Sequence, residues 1–282
     1  MIPRSAPLVS TEWLAEHLAA PDVRIADASW YLPQMARDAR AEYHSAHIPG
    51  AVFFDIDDLS DETSNLPHML PQAAKFASRM RQIGLGDGNL IVVYDGAGIY
   101  SAPRAWWMLR AMGHEDVAVL DGGFPKWKRE GRPVEDLTPH PHLRHFTPRP
   151  NNALLRDFAQ VMQNVQTGRE QMVDMRNAGR FAGNEAEPRP GVRPGHIPGS
   201  ANLPYTELSD PTGVLKKPEA LREIFLRRGV DTDRPIVTTC GSGMTAAIGM
   251  LALTVSGARD LALYDGSWSE WGAHPEAPIA IG

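Results

Sequence analysis

Cys240 is the only cysteine in 282 residues, and it sits in Pro235-Ile236-Val237-Thr238-Thr239-Cys240-Gly241-Ser242-Gly243-Met244-Thr245-Ala246, a β-branched run followed by a glycine-rich loop and an apolar segment. In a parallel sheet, the loop that leaves the carboxyl end of a strand and enters a helix is where ligands bind. Its backbone N–H groups and the helix N-terminus form a concavity that favours negative charge. A cysteine at the start of that loop has its thiolate stabilised, so the pattern predicts a nucleophile. The bland alternative is a buried structural thiol, around which Gly241 and Gly243 would be wasted. The loop carries no side-chain cation, so an anionic substrate must be held by one elsewhere. Arg180-Phe181-Ala182-Gly183-Asn184-Glu185-Ala186-Glu187-Pro188-Arg189 offers two arginines in a loop, and arginine's planar fork suits a carboxylate. Phosphatase chemistry is disfavoured: it needs a longer loop ending in arginine, and the residue six beyond Cys240 is Ala246.

These groups belong to a chain written twice. His47-Ile48-Pro49-Gly50-Ala51 returns as His196-Ile197-Pro198-Gly199-Ser200, and Asp121-Gly122-Gly123-Phe124-Pro125-Lys126-Trp127 as Asp265-Gly266-Ser267-Trp268-Ser269-Glu270-Trp271. In addition, 24–27 matches 171–174 and 90–95 matches 235–240, in the same order. A tandem duplication explains four matches in register, since solenoid arrays repeat at much shorter periods. The position of Cys240 is filled in the first half by Asp95, followed by Gly96-Ala97-Gly98. A carboxylate cannot do thiol chemistry, so the first half is expected to be catalytically silent. His47 and His196 occur in both halves, which points to a shared structural turn rather than to catalysis.

Each half alternates β-branched runs with amphipathic stretches. Strands are expected over 23–28, 90–95 and 117–120, and again over 171–175, 235–239 and 261–264. Helices are expected from Ser10 to Leu18, Pro71 to Gly84 and Ser101 to Gly113, then over 154–167, 218–228 and 244–255. The fold class is therefore α/β, each half a mainly parallel sheet with helices on both faces. The predicted domains are 1–138 and 154–282. Segment 139–153, rich in proline, histidine and arginine, is expected to be a solvated linker, its irregularly spaced histidines not a metal site.

Composition narrows the function classes. The chain is 43% hydrophobic and 22% charged with a formal net charge of -6, which argues against binding a phosphate backbone, and so against a nucleic-acid partner. No apolar run approaches the roughly 20 residues that span a bilayer, and the N-terminus does not read as a signal peptide. A single cysteine excludes an internal disulfide and fits a reducing compartment, hence a cytoplasmic expectation.

The chain resembles the tandem-rhodanese sulfurtransferases, specifically their 3-mercaptopyruvate branch. The likeness runs from Ala26-Asp27-Ala28-Ser29-Trp30-Tyr31-Leu32-Pro33 through Phe53-Phe54-Asp55-Ile56-Asp57, His68-Met69-Leu70-Pro71 and Tyr100-Ser101-Ala102-Pro103-Arg104 to Tyr264-Asp265-Gly266-Ser267-Trp268. One departure in the loop is Met244, where the branch usually carries valine. Relatives that use thiosulfate place arginine and lysine directly after the cysteine; here those positions are Gly241 and Ser242. The resemblance implies two rhodanese-like domains and a sulfur transfer from 3-mercaptopyruvate through a Cys240 persulfide cradled by Gly241, Ser242, Gly243, Met244 and Thr245. It also implies a carboxylate and carbonyl grip by Arg180 and Arg189, and a relay of Asp57, His68 and Ser242. Arg176 and Arg193 do not match those positions and are expected in ordinary pairing. The acceptor would be a small thiol, thioredoxin or cyanide, with no metal or organic cofactor. Two alternatives stay open at this point: a thiosulfate sulfurtransferase, and a non-catalytic persulfide carrier.

Overall fold

The computed structural model describes residues 6–137, 139 and 141–282; Thr138 and His140, at the expected linker, lie outside the described residues. The chain divides into two compact units. One comprises the described residues of Met1–Glu62, Leu70–Asn151 and Asp210–Leu215, the other Thr63–Met69, Asn152–Ser209 and Lys216–Gly282. Each unit thus includes a short segment from the opposite half of the sequence, which neither the repeat nor the periodicity signals.

Unit 1 carries β1 (Leu8–Val9), α1 (Thr11–Glu16), β2 (Val23–Asp27), α2 (Ala39–Ser45), β3 (Val52–Phe53), α3 (Ala73–Gln82), β4 (Leu90–Tyr94), α4 (Ala102–Ala111), β5 (Val117–Leu120) and α5 (Gly123–Arg129). Unit 2 repeats the plan with β6 (Leu155–Arg156), α6 (Phe158–Thr167), β7 (Gln171–Asp174), α7 (Ala178–Phe181), β8 (Ala201–Asn202), α8 (Pro218–Arg227), β9 (Ile236–Thr239), α9 (Ala246–Val255), β10 (Leu261–Tyr264) and α10 (Ser267–Trp271). The strand orders, β1-β5-β4-β2-β3 and β6-β10-β9-β7-β8, are identical under the duplication, and every pairing is parallel. All four residues of β9 are buried, as expected for a central strand covered on both faces. On one face of the first sheet Ile25, Val92, Tyr94, Ala118 and Leu120 pack with Leu14, Phe124 and Trp127; the second sheet's counterpart joins Met172, Val237, Ala262 and Tyr264 to Trp268 and Trp271.

Three expectations are corrected. Helix α6 starts at Phe158 rather than Leu154, because Leu155 and Arg156 pair with β10 and Asp157 forms a capping box with Gln160. Helix α9 starts at Ala246 rather than Met244, since the cysteine loop runs on to Thr245. The linker is not simply solvated: Phe146 is buried against Phe76 and His114, His145 O accepts from Asp87 N, and Arg149 N donates to Met112 O. The strap is therefore part of unit 1.

One difference between the halves starts from the last residue of the equivalent strands β2 and β7. Asp174 is followed two residues later by Arg176, whose guanidinium chelates it. Asp27 is followed instead by Ser29, which donates its N–H at 2.9 Å and its hydroxyl at 2.5 Å. With hydroxyl and amide partners but no cation bonded to it, the buried Asp27 carboxyl is pushed by desolvation from 3.8 up to about 6. A raised folded-state value favours the fold below pH 3.8, and the benefit is lost as pH rises through about 6, costing up to about 3 kcal/mol. Asp27→Asn is therefore expected to gain thermal stability over the wild type as pH increases from 5 to 8. A melting-temperature difference that stays constant over that interval would contradict the assignment.

Candidate active site

Cys240 follows β9 directly and is 1% exposed. The start of its loop is pinned from the N-terminal turn of α10: Trp268 N donates to Cys240 O and Ser269 N to Gly241 O, both at 2.9 Å, while Cys240 N donates to Ser267 Oγ at 3.3 Å. Gly243 lies at φ +76°, a left-handed conformation that a side chain would strain. Gly241 faces Arg180 so closely that a Cβ there would stand 3.3 Å from its Nη2. Met244 is buried and Thr245 half-buried, and α9 begins immediately after them without a side-chain cap.

The first half displays what such a loop does with a carboxyl group. The Asp95 carboxylate, fully buried, accepts from the backbone amides of Ala97, Tyr100, Ser101 and Ala102 at 2.8 to 2.9 Å. Counted from the first loop residue, these correspond to Ser242, Thr245, Ala246 and Ala247. Within the described residues the amides of Ser242, Thr245 and Ala246 have no hydrogen-bond acceptor, and Ala247 N reaches only Met244 O at 3.3 Å. The cysteine loop therefore has backbone donors that nothing among the described residues satisfies and that an anion on the cysteine could.

Arg180 lies on the single turn α7, whose N-cap Asn177 accepts from Arg180 N. Its guanidinium bonds Glu187 through Nη2 at 2.5 Å and Nε at 3.3 Å. Glu187 also accepts from Arg176 Nη1 at 2.8 Å, so Asp174, Arg176, Glu187 and Arg180 form an alternating chain of charges. Arg176 is buried and structural, as expected, and Arg193 donates to the carbonyls of Gly272, His274 and Ala277. Arg189 differs from all of these. It is half-buried, forms no hydrogen bond or ion pair with any described residue, and is pushed below its ordinary pKa first by burial and then by Arg180, with Cys240 and then Glu187 acting in the opposite sense. A desolvated guanidinium with no hydrogen-bonded partner among the described residues is suited to an anion.

His68 belongs to unit 2 through the segment Thr63–Met69, and its Nδ1 stands 3.2 Å from Ser242 Oγ although the two are 174 residues apart. It is buried and held at φ +60°, a sparsely populated conformation that marks a constrained position. Asp57 lies in unit 1, where Trp30 Nε1 donates to both its oxygens at 3.0 and 3.1 Å, and burial raises its carboxyl above the ordinary value. His47 and His196 are structural: each anchors an antiparallel bridge and stacks on a neighbouring ring, Tyr43 and Phe181 respectively.

Both halves match the model of the rhodanese-like domain, over residues 10–130 and 157–274. The chain belongs to the rhodanese family. This rhodanese is 45% identical to 3-mercaptopyruvate sulfurtransferase from Homo sapiens over 98% of its own length and 95% of the relative's. It is 44% identical to thiosulfate sulfurtransferase from Cricetulus griseus over 98% and 95%. The crystal structure of SseA, a 3-mercaptopyruvate sulfotransferase from Escherichia coli, superposes with a TM-score of 0.86 at 42% identity, covering 93% of this chain and 99% of that one. Overall identity does not separate the two donor types, so the choice of donor falls to the residues around Cys240.

Several residues of this rhodanese site were invisible in the sequence. Glu187 reads as one more acid in a polar loop until Arg176 and Arg180 are brought to it. Tyr205, whose phenol is pushed up in pKa by burial and then by Cys240, follows β8 in a short turn without any chemical motif. Ser267 could have been noticed, since the duplication sets it where the first half has Gly123; both hold positive φ, 51° and 54°.

Proposed function

We propose that this rhodanese takes sulfur from 3-mercaptopyruvate at Cys240 and passes it to a thiol acceptor. The observation that carries this reading is the pairing of a cation-free loop, Gly241 and Ser242, with the Arg189 guanidinium beside it, which forms no hydrogen bond or ion pair with a described residue. The donor's carboxylate rests on Arg189 and Arg180. The Cys240 thiolate attacks the donor sulfur; an S–S bond forms as the C–S bond breaks, and the electron pair leaves on pyruvate as its enolate. The proton of the donor thiol passes to Ser242 Oγ as that hydroxyl gives its own to His68 Nδ1, and it ends on the enolate carbon. The persulfide left on Cys240 carries negative charge, which the amides of Ser242, Thr245 and Ala246 stabilise as their counterparts stabilise Asp95. Asp57 enters this relay on the resemblance, as the carboxylate that orients His68.

A small thiol, thioredoxin or cyanide then attacks the outer sulfur and restores the thiolate, giving ping-pong kinetics. Among the described residues no helix is long and apolar enough to cross a membrane, and we place the reaction in the cytoplasm. Steady-state rates with the two donors test the reading. Mercaptopyruvate is expected to give the higher kcat/KM, and a preference for thiosulfate would overturn it.

A further inference from the structure

We infer that Glu187 sets the charge of the donor site and with it the preference for a singly charged donor; this rests on the donor reading above. Glu187 has a side chain only 3% exposed, and its two oxygens are shared between Arg180 and Arg176. Arg176 is already neutralised by Asp174, which chelates it at 2.7 to 3.1 Å. The negative charge of Glu187 is therefore set against Arg180 by direct bonding, and it acts on Arg189 only through space, since Arg189 forms no ion pair or hydrogen bond with a described residue. Two guanidiniums and one carboxylate leave a single net positive charge. One carboxylate on the donor cancels it. A dianion such as thiosulfate would bring a second charge into a partly desolvated place where Gly241 and Ser242 supply no side-chain cation to balance it, and the Glu187 carboxylate bonded to Arg180 would repel that charge through space. Glu187 thus acts through Arg180 in two ways: it orients the fork by its bonds to Nη2 and Nε, and it repels the wrong donor.

The two roles separate experimentally. Glu187→Gln keeps an acceptor for Arg180 but removes the charge, whereas Glu187→Asp keeps the charge but shortens the reach. The readout is kcat/KM for thiosulfate divided by kcat/KM for mercaptopyruvate, measured on the full chain. Glu187→Gln is expected to raise this ratio by roughly tenfold or more, and Glu187→Asp to lower both rates with little change in the ratio. An unchanged ratio in Glu187→Gln, or an equal rise in both variants, would overturn the inference. A wild type that prefers thiosulfate would overturn the donor reading itself, so the two failures are distinct. Inhibition of the wild-type enzyme gives the same test without a substitution: monoanionic pyruvate should compete with the donor better than dianionic sulfate, and equal or better inhibition by sulfate contradicts the charge assignment.

Discussion

Cys240→Ser is expected to lower pyruvate release from mercaptopyruvate by at least about four orders of magnitude and to abolish sulfur loading altogether. Serine is close in size to cysteine and the site is 1% exposed, so the fold should survive with a loss of about 1–2 kcal/mol for burying a hydroxyl. Its oxygen, however, ionises too weakly to attack the donor and cannot retain a sulfane sulfur. Cys240→Asp makes a sharper companion. In the first half a carboxylate at this position accepts hydrogen bonds from four backbone amides at 2.8 to 2.9 Å. Placed after β9, aspartate should fill the same nest, giving a well-folded protein without transfer activity. Pyruvate release surviving in either variant would remove Cys240 from the mechanism.

Arg189→Ala is expected to reduce kcat/KM for mercaptopyruvate by roughly 10- to 200-fold, the equivalent of losing about 1.5–3 kcal/mol of hydrogen bonding to a charged group. Arg189 forms no hydrogen bond or ion pair with a described residue, so its removal leaves no buried acid stranded and folding stability should change little. In a ping-pong reaction the two half-reactions are read separately. The kcat/KM for the acceptor should stay near the wild-type value, because the donor's carboxylate has left before the acceptor arrives. Comparable losses in both half-reactions would mean that Arg189 supports the loop rather than grips the donor. Arg180→Ala makes a less clean comparison, since it also strands Glu187 beside Arg176.

Much of this site was legible in the sequence because the strand β9, its glycine loop and helix α9 each carry strong local signals. Val237, Thr238 and Thr239 favour a strand, Gly241 and Gly243 break it, and the apolar stretch from Ala246 makes a helix. The duplication supplied the counterpart position, Asp95. Edge strands β1, β3, β6 and β8 escaped because two residues cannot display a period. The exchanged segments Thr63–Met69 and Asp210–Leu215 escaped for a different reason: they are irregular, and their placement depends on tertiary packing alone. His68 reaches Ser242 only through that packing. The ion chain from Asp174 to Arg180 was equally hidden, since its members fall on a strand end, a loop and a single helical turn.

The most direct test of the account is one turnover in the absence of acceptor. Mixing the wild-type protein with mercaptopyruvate should release one pyruvate per chain and add the mass of one sulfur atom, located on the peptide containing Cys240. Pyruvate release without that added mass, or added mass on any other residue, would contradict transfer through a Cys240 persulfide.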